Sequence, residues 1–385
     1  MTDKKIALLA LGFRPFYLLA SFLAIFTVFE WLLELQNMGI RSSNEISGMI
    51  WHAHEMIYGF AATVITGFAL TAVRAWTGLE TPKGWSLLFL VALWFIARIG
   101  AFTIYPLLIA IDICFLPIVA IIIGRLIIKT RMYRNLFLPF ILIILGSLNA
   151  LFYLTLLRYL MLDINQIIFA ALYLIIMVEI MIGNRIIPSF TANANPGIKQ
   201  NRSLNLTKLT IFGSALTFLL QIFSPIALLN AVACFVIGIL HLVLLWGWRP
   251  LSTRCKPLLW IMHLSYGWIS VGFFLLSLSD LGLINIYPAL HVFGIGATGG
   301  LIIAMITRTA LGHTGRPLLA GLIEIICYLG IQATLFFWLL GNANPNTWFY
   351  PFLVTAGVCW IGVFTLYLIK YFPLLTRPRP DGKAG

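Results

Sequence analysis

The sequence predicts an all-α, polytopic membrane protein of about twelve transmembrane helices, with both termini on the cytoplasmic side. Of its 385 residues, 61% are hydrophobic and 10% are charged, and the mean hydropathy is +1.00. A soluble domain carries about a quarter charged residues, so this chain would lack the polar surface that water requires. A bilayer accepts apolar side chains directly, and each span needs about 20 of them. We expect one transmembrane helical domain over residues 1–385.

Apolar runs of spanning length follow one another along the whole chain. Prolines and short polar stretches separate them, because neither continues a helix easily. The predicted spans cover Phe13–Leu35, Met49–Val73, two helices between Trp85 and Ile128 that break near Tyr105-Pro106, Leu138–Leu160, Ile164–Ile187, two helices within Leu206–Gly247 that divide near Ser224-Pro225, Pro257–Leu278, Ile286–Thr307, Leu318–Leu340 and Trp348–Tyr371.

The basic residues predict the orientation of these spans. All but three of the 25 Lys and Arg residues fall on the even-numbered connections or on the two tails, the exceptions being Arg41, Arg98 and Arg158. Loops rich in Lys and Arg stay in the cytoplasm, so both termini are predicted to lie there. The net charge of +13 does not indicate nucleic-acid binding, because the basic residues form short clusters between apolar runs.

Histidines are the main candidates for chemistry. Ionisable groups in hydrocarbon are costly and usually functional, although a single intramembrane histidine is more often a hydrogen-bonded structural residue. Five of the six histidines lie inside or at the mouth of a span, in two layers. The outer layer holds His52, His54 and His291; His241 and His263 share a depth roughly 10–12 Å inside the inner surface; the sixth, His313, follows the tenth span in a loop.

Imidazoles at matched depth on different helices suit axial haem ligation, and they also suit copper. We therefore predict a haem bound by His54 and His291, with His52 as a further candidate. A second haem or metal would lie at His241 and His263.

The segment around His52 and His54 adds a constraint. Residues two apart on a regular helix point away from each other, so these two histidines cannot both bind one metal ion. Glu55 is expected on the face of His52 and Tyr58 on that of His54, as supporting residues. The alternative is that one histidine caps the helix or pairs with Glu55.

Three further patterns extend the prediction. The glycine-rich run Gly294–Gly300 leaves one region of the tenth span without large side chains, which allows either a flat prosthetic group or another helix to approach closely. Thioethers favour Cu(I), so copper candidates are His52, Met177 and Met181, unless the methionines only pack. The loop Gly312–Pro317 is either a plain turn or a cradle for an anion such as a haem propionate. Its supporting residues are His313 and Arg316, with Arg308 nearby in sequence.

Motifs for covalent haem attachment, nucleotide binding and hydrolysis are absent from the sequence. In particular there is no C-x-x-C-H haem motif and no P-loop. Any haem would therefore be non-covalent, of b type.

Several sequence blocks resemble the NnrS family of bacterial membrane proteins. They are Gly12-Phe-Arg-Pro-Phe16, Trp51-His-Ala-His-Glu-Met56, Gly67-Phe-Ala-Leu-Thr-Ala72, Trp76-Thr-Gly78, Gly183-Asn-Arg-Ile-Ile-Pro188 with Phe190-Thr191, and His291 through Met305-Ile-Thr-Arg308 to Gly312-His-Thr-Gly-Arg-Pro317. They occur in family order over nearly the whole chain. One departure is Asn184, where we expect a basic residue.

The resemblance implies a twelve-helix protein of the bacterial inner membrane that contains haem b and copper and is linked to nitric oxide metabolism or nitrosative-stress resistance. The plan also looks like the catalytic subunit of haem–copper oxidases, in which helices two and ten carry haem ligands. The three-histidine copper centre of that subunit does not transfer, since the sixth and seventh spans have no histidine.

The residues leave three functions open. The first is a protein that binds nitric oxide or passes electrons to it at haem, with a quinol or another electron donor, either as an oxidoreductase or without catalysis. The second is a transporter of a small solute, metal or protons that uses intramembrane histidines and carboxylates. The third is a membrane sensor or assembly partner.

Overall fold

The computed structural model describes residues 6–40, 46–344 and 346–382, and every regular element within these residues is a helix. Twelve of the helices are long and apolar enough to cross a membrane, which confirms the predicted fold class and number of spans. They are α1 (Phe13–Glu34), α2 (Gly48–Thr77), α3 (Trp85–Thr103), α4 (Pro106–Lys129), α5 (Tyr133–Leu156), α6 (Ile164–Ala194), α7 (Leu204–Phe223), α8 (Ala227–Gly247), α9 (Pro257–Asp280), α10 (Tyr287–His313), α11 (Leu322–Ala343) and α12 (Phe349–Thr376).

Two helices, α6 and α10, run six or seven residues past their predicted ends. α6 continues through Pro188 to Ala194, because side chains from elsewhere hold its last turns: Arg202 donates to the carbonyl of Pro188 and Lys256 to that of Ala194. α10 ends at His313. The prediction that His313 lies in a loop is therefore wrong, and its ring is fixed to a helix end.

Two helices contain a π-helical segment, in which the backbone hydrogen bonds span five residues instead of four. In α2 this segment is Glu55–Ala61, directly after His54. In α10 it is Val292–Gly299, directly after His291. Such segments are rare in proteins, and those that do occur are frequently found at functional sites.

The helices group into two compact units. Unit 1 consists of Met1–Ala171, Thr309–Leu318 and Phe364–Gly385, and unit 2 of Leu172–Arg308 and Leu319–Val363. That the whole chain acts as one domain stays a prediction.

Of the three basic residues that depart from the charge pattern, Arg41 lies outside the described residues. Arg158 follows α5 in a left-handed backbone conformation and is exposed. Arg98 is buried inside α3, so it is not a loop charge at all. The cytoplasmic location of both termini stays a prediction.

Small residues in unit 1 let its helices approach closely. A Cβ atom at Gly100 of α3 would lie 2.7 Å from the carbonyl carbon of Leu108 in α4, and one at Gly146 of α5 would lie 2.6 Å from Cδ of Pro117 in α4. Close approach of this kind is how helices without a hydrophobic driving force pack in lipid. It brings polar side chains near these glycines within hydrogen-bond range of one another.

Candidate functional sites

A buried ionic cluster lies in unit 1, at the end of α2 that carries the histidines. It consists of His54 and Glu55 from α2, Arg98 from α3 and Asp112 from α4, and none of these residues is more than 8% exposed. Arg98 links the two carboxylates: its Nη1 donates to Oε1 of Glu55 at 2.7 Å, and its Nη2 donates to Oδ1 of Asp112. We call these four residues the ionic cluster.

Two residues of α5 complete the hydrogen bonds of the ionic cluster. The Tyr153 hydroxyl donates to Oδ2 of Asp112 at 2.8 Å, and Oδ1 of Asn149 is 2.9 Å from Nε2 of His54. Both α5 residues are about 1% exposed. The buried charges are thus paired within the protein, as burial requires; Nε of Arg98 is the one atom of the ionic cluster that is buried without a hydrogen-bond partner among the described residues.

Both ring nitrogens of His54 have hydrogen-bond partners. Nδ1 lies 2.9 Å from Oε1 of Glu55, and Nε2 lies 2.9 Å from Oδ1 of Asn149. His54 also lies beside the second carboxylate, with 3.8 Å between its Nε2 and Oδ2 of Asp112.

This arrangement bears directly on the predicted role of His54 as a haem ligand. A ring nitrogen binds iron through its lone pair, and both nitrogens of His54 are engaged. Ligation by His54 would require one of its hydrogen bonds to break, and it stays a prediction. The alternative stated for this segment, pairing with Glu55, is what the structure contains.

The π-helical segment Glu55–Ala61 begins at a residue of the ionic cluster. Glu55 bonds the adjacent His54, and its place on the face of His52 stays a prediction. Tyr58 lies as predicted beside His54, with 4.8 Å between the ring centroids. Gly59 leaves space here, since a Cβ atom there would lie 3.2 Å from Nη1 of Arg98.

His52 points to a different part of unit 1. Its ring stacks on Trp31 of α1, with 5.6 Å between centroids and 24° between planes. The two histidines of α2 therefore have separate environments, and metal binding by His52 stays a prediction.

His291 occupies a site of another kind, in unit 2. Its Nδ1 lies 3.0 Å from the carbonyl oxygen of Tyr287, one turn earlier in α10. Since a carbonyl only accepts, Nδ1 carries the proton and Nε2 has the lone pair. The ring also stacks on Trp338 of α11, with 3.7 Å between centroids and 13° between planes. The hydrogen bond and the stacking fix the orientation of the ring and leave the lone pair of Nε2 available.

The glycines after His291 divide into two groups. At Gly296, a Cβ atom would lie 2.8 Å from Trp268 and Leu335; at Gly299, 2.8 Å from Trp360. These glycines serve close helix packing. At Gly294, a Cβ atom would meet nothing within 4 Å. Open space therefore exists one turn from His291.

His241 and His263 of unit 2 belong to a hydrogen-bonded group but do not bond each other. Nε2 of His241 lies 2.8 Å from the Ser214 hydroxyl, and its Nδ1 lies 3.0 Å from the Tyr266 hydroxyl. Asn184, the departure from the family pattern, donates to the same Tyr266 hydroxyl at 3.1 Å. Both nitrogens of His241 are engaged.

His263 has one unused nitrogen. Nε2 lies 2.8 Å from Oγ1 of Thr191, and that hydroxyl donates to the carbonyl of Ile187. The Thr191 oxygen therefore accepts from Nε2–H, which leaves the lone pair on Nδ1, a buried atom without a hydrogen-bond partner. A second haem or metal at His241 and His263 stays a prediction, and Nδ1 of His263 is the atom that fits it.

The predicted supporting residues of the Gly312–Pro317 region lie in different units. His313 and Arg316 are in unit 1, where the His313 ring packs on Phe13 at 5.5 Å between centroids. Arg308 is in unit 2, where its guanidinium lies 4.1 Å over the Phe190 ring. A role of these residues beside a haem propionate stays a prediction.

The predicted copper ligands have little support. Among the described residues, no group of three or more His, Cys, Asp or Glu side chains is placed to hold a metal ion. Met177 is buried, and Met181 is half-buried. Between them in sequence, Oε2 of Glu179 is buried without a hydrogen-bond partner, which is the kind of group that the transporter alternative would use.

Sequence reasoning missed four residues that the sites depend on: Arg98, Asn149, Tyr153 and Tyr266. A signal for Arg98 was available, because it and Asp112 sit inside consecutive apolar runs near the same turn. Opposite charges at one end of a helical hairpin are expected to pair.

Within the described residues, the fold and these sites define a twelve-span, helical membrane protein in which His54, His241 and His263 are held in buried polar environments. A family model described as NnrS protein matches residues 7–379. The chain therefore belongs to the NnrS family, which confirms the resemblance. Among curated proteins, none matches this chain.

Proposed function

We propose that this protein binds haem b in the bacterial inner membrane and acts through it in the nitric oxide response, with His291 as an axial ligand. Membership of the NnrS family suggests the link to nitric oxide. The observation that carries the haem proposal is the state of His291, whose Nδ1–H is held by the Tyr287 carbonyl. Metal-bound histidines almost always donate their other ring N–H in this way.

The surroundings of His291 fit a flat group. Stacking on Trp338 restrains rotation of the imidazole, and the open space at Gly294 lies on the following turn. When bound, haem supplies an iron atom that takes nitric oxide and exchanges one electron. The protein supplies a neutral, oriented imidazole and an apolar surround, which tune both properties.

The other predicted haem ligands belong to the same proposal. His54 would supply a further ligand only if one of its two hydrogen bonds broke. His52 stays a further candidate, and His263 would supply a ligand through Nδ1. Copper, and a quinol or another electron donor, stay predictions.

The test is the absorption spectrum of the detergent-purified protein, with His291→Ala compared against His241→Ala. We expect a Soret band in the parent protein, loss of that band in His291→Ala, and its retention in His241→Ala, since both nitrogens of His241 are already engaged. Size-exclusion profiles and circular dichroism establish that both variants are folded. Bound haem with an unchanged spectrum in folded His291→Ala would refute the proposal.

A further inference from the structure

A group of arginines meets at one end of unit 1. Arg14 lies at the start of α1, Arg74 at the end of α2, Arg316 just after α10, and Arg379 just after α12. Arg316 and Arg379 lie close enough to Arg14 for their positive charges to repel it. Arg14, Arg74 and Arg379 are in turn close enough to the His313 ring to interact with it electrostatically. We call these four arginines the arginine group.

Arg14 is the buried member of the arginine group. Its side chain is 1% exposed, and its Nη1 donates to the carbonyls of Leu375 and Arg377, at 2.8 and 3.0 Å. Its Nε is buried without a hydrogen-bond partner. Burial of a guanidinium without an anion is costly, and carbonyl oxygens supply only partial charges.

The acidic residues nearby do not balance the arginine group. Asp381 binds Arg379 through both oxygens, at 2.6 and 2.8 Å, and Glu80 pairs with Arg74 at 3.1 Å. Arg316 bonds only the carbonyl of Thr314 in its own loop. Two positive charges, those of Arg14 and Arg316, therefore have no acidic partner among the described residues.

The loop after α10 and the C-terminal tail form the frame of this region. Arg379 donates to the carbonyl of His313 at 3.0 Å. Gly315 has φ +74°, and a Cβ atom there would lie 3.1 Å from Oδ2 of Asp381. Glycine thus lets the tail lie directly on the loop that carries Arg316, and the chain leading into the same tail supplies the carbonyls of Leu375 and Arg377 that accept from Arg14.

We infer that the arginine group is a binding site for a doubly charged phosphate group. Two uncompensated guanidiniums match a dianion in charge, and the planar, fixed donors of arginine match phosphate oxygens in geometry. The site lies at the helix ends that the charge pattern predicts to be cytoplasmic, where anionic lipids gather. The phosphate therefore comes either from a phospholipid headgroup or from a soluble phosphorylated compound.

The experiment uses the full-length protein in a phosphate-free sugar detergent. In one arm inorganic phosphate is titrated at constant ionic strength, and in the other short-chain phosphatidylglycerol is titrated against phosphatidylcholine. Binding is measured as the shift in unfolding temperature and by calorimetry. Arg316→Gln is compared with Lys129→Gln, which removes an exposed basic residue at the end of α4 in the same unit.

We expect Arg316→Gln to weaken binding about tenfold or more, as loss of a charge-assisted hydrogen bond does, and Lys129→Gln to leave it unchanged. Asp381→Asn should tighten binding several-fold, because it removes a competing anion; this variant keeps the test sound if Arg316→Gln does not fold. Tighter binding of phosphatidylglycerol assigns a lipid, and tighter binding of inorganic phosphate assigns a soluble ligand. No binding of either, or equal weakening by the Arg316 and Lys129 substitutions, would overturn the inference. Haem content is a separate readout, so failure here does not affect the proposed function.

Discussion

Removal of Arg98 should unbalance the ionic cluster. In Arg98→Met, Glu55 and Asp112 keep their burial, at 1% and 3% exposure, but lose the guanidinium that bonds both. Breaking a buried ion pair by removing one partner destabilises a protein by about 3–5 kcal/mol. That loss corresponds to roughly two to three and a half powers of ten in the folded-to-unfolded ratio.

The matched control is Arg74→Met. Arg74 also pairs with a carboxylate in unit 1, at 3.1 Å from Glu80, but the two side chains are 30% and 54% exposed. Water screens such pairs, so we expect a loss below about 1 kcal/mol. Both variants remove the same charge from an ion pair, so the difference between their free energies of unfolding reports the effect of burial.

Unfolding in mixed micelles of sodium dodecyl sulfate and a mild detergent, followed by circular dichroism, gives the free energy of unfolding of each variant. A triple variant, Arg98→Met with Glu55→Gln and Asp112→Asn, should recover at least half of the loss, since it leaves no unpaired charge. If Arg98→Met and Arg74→Met differ by less than about 1 kcal/mol, the ionic cluster is screened by water and the reasoning fails.

Two further predictions test packing and surface charge. A Cβ atom at Gly296 would lie 2.8 Å from Trp268, whereas one at Gly294 would meet nothing within 4 Å. Gly296→Ala should therefore be less stable than Gly294→Ala by about 1–3 kcal/mol, measured in the same micelle assay. Equal stability of the two variants would contradict this prediction. At the surface, a hydrogen bond from Lys83 holds the pKa of Glu80 below its ordinary value of 4.5. The small contribution of this bond to the free energy of unfolding is therefore present above pH 4.5 and is lost as the pH falls through the lowered pKa. Lys83→Met should raise the pKa of Glu80, measured by carbon-13 NMR, and an unchanged titration would show that the bond is not formed in solution.

The number of helices and their order follow from composition, because a run of about 20 apolar residues has only one stable form in lipid. Helix ends were harder to predict. Proline at 188 was a reasonable end for α6, yet Arg202 and Lys256 hold the turns beyond it. Such contacts join residues far apart in sequence, which local pattern cannot show.

The five histidines that the sequence places on spans do lie on long apolar helices, and His54, His241 and His263 are buried there. Their chemistry depends on neighbours that the sequence does not reveal. From the sequence, His54 and His291 look alike, because each is a histidine near the start of an apolar helix. One ring has both nitrogens engaged by Glu55 and Asn149, and the other has only Nδ1 engaged. The difference comes from which side chains the adjacent helices bring within reach, a property of tertiary packing.

The π-helical segments Glu55–Ala61 and Val292–Gly299 make the chain unusually sensitive to its own length at two points. A π-helical turn holds one residue more than an α-helical turn, so loss of one residue from either segment would allow the span to rewind as a regular α-helix. The residues of the wide turn, Glu55 and Val292 among them, would then face other neighbours. The contacts beside each histidine therefore depend on how many residues the turn contains, even where every side chain is kept.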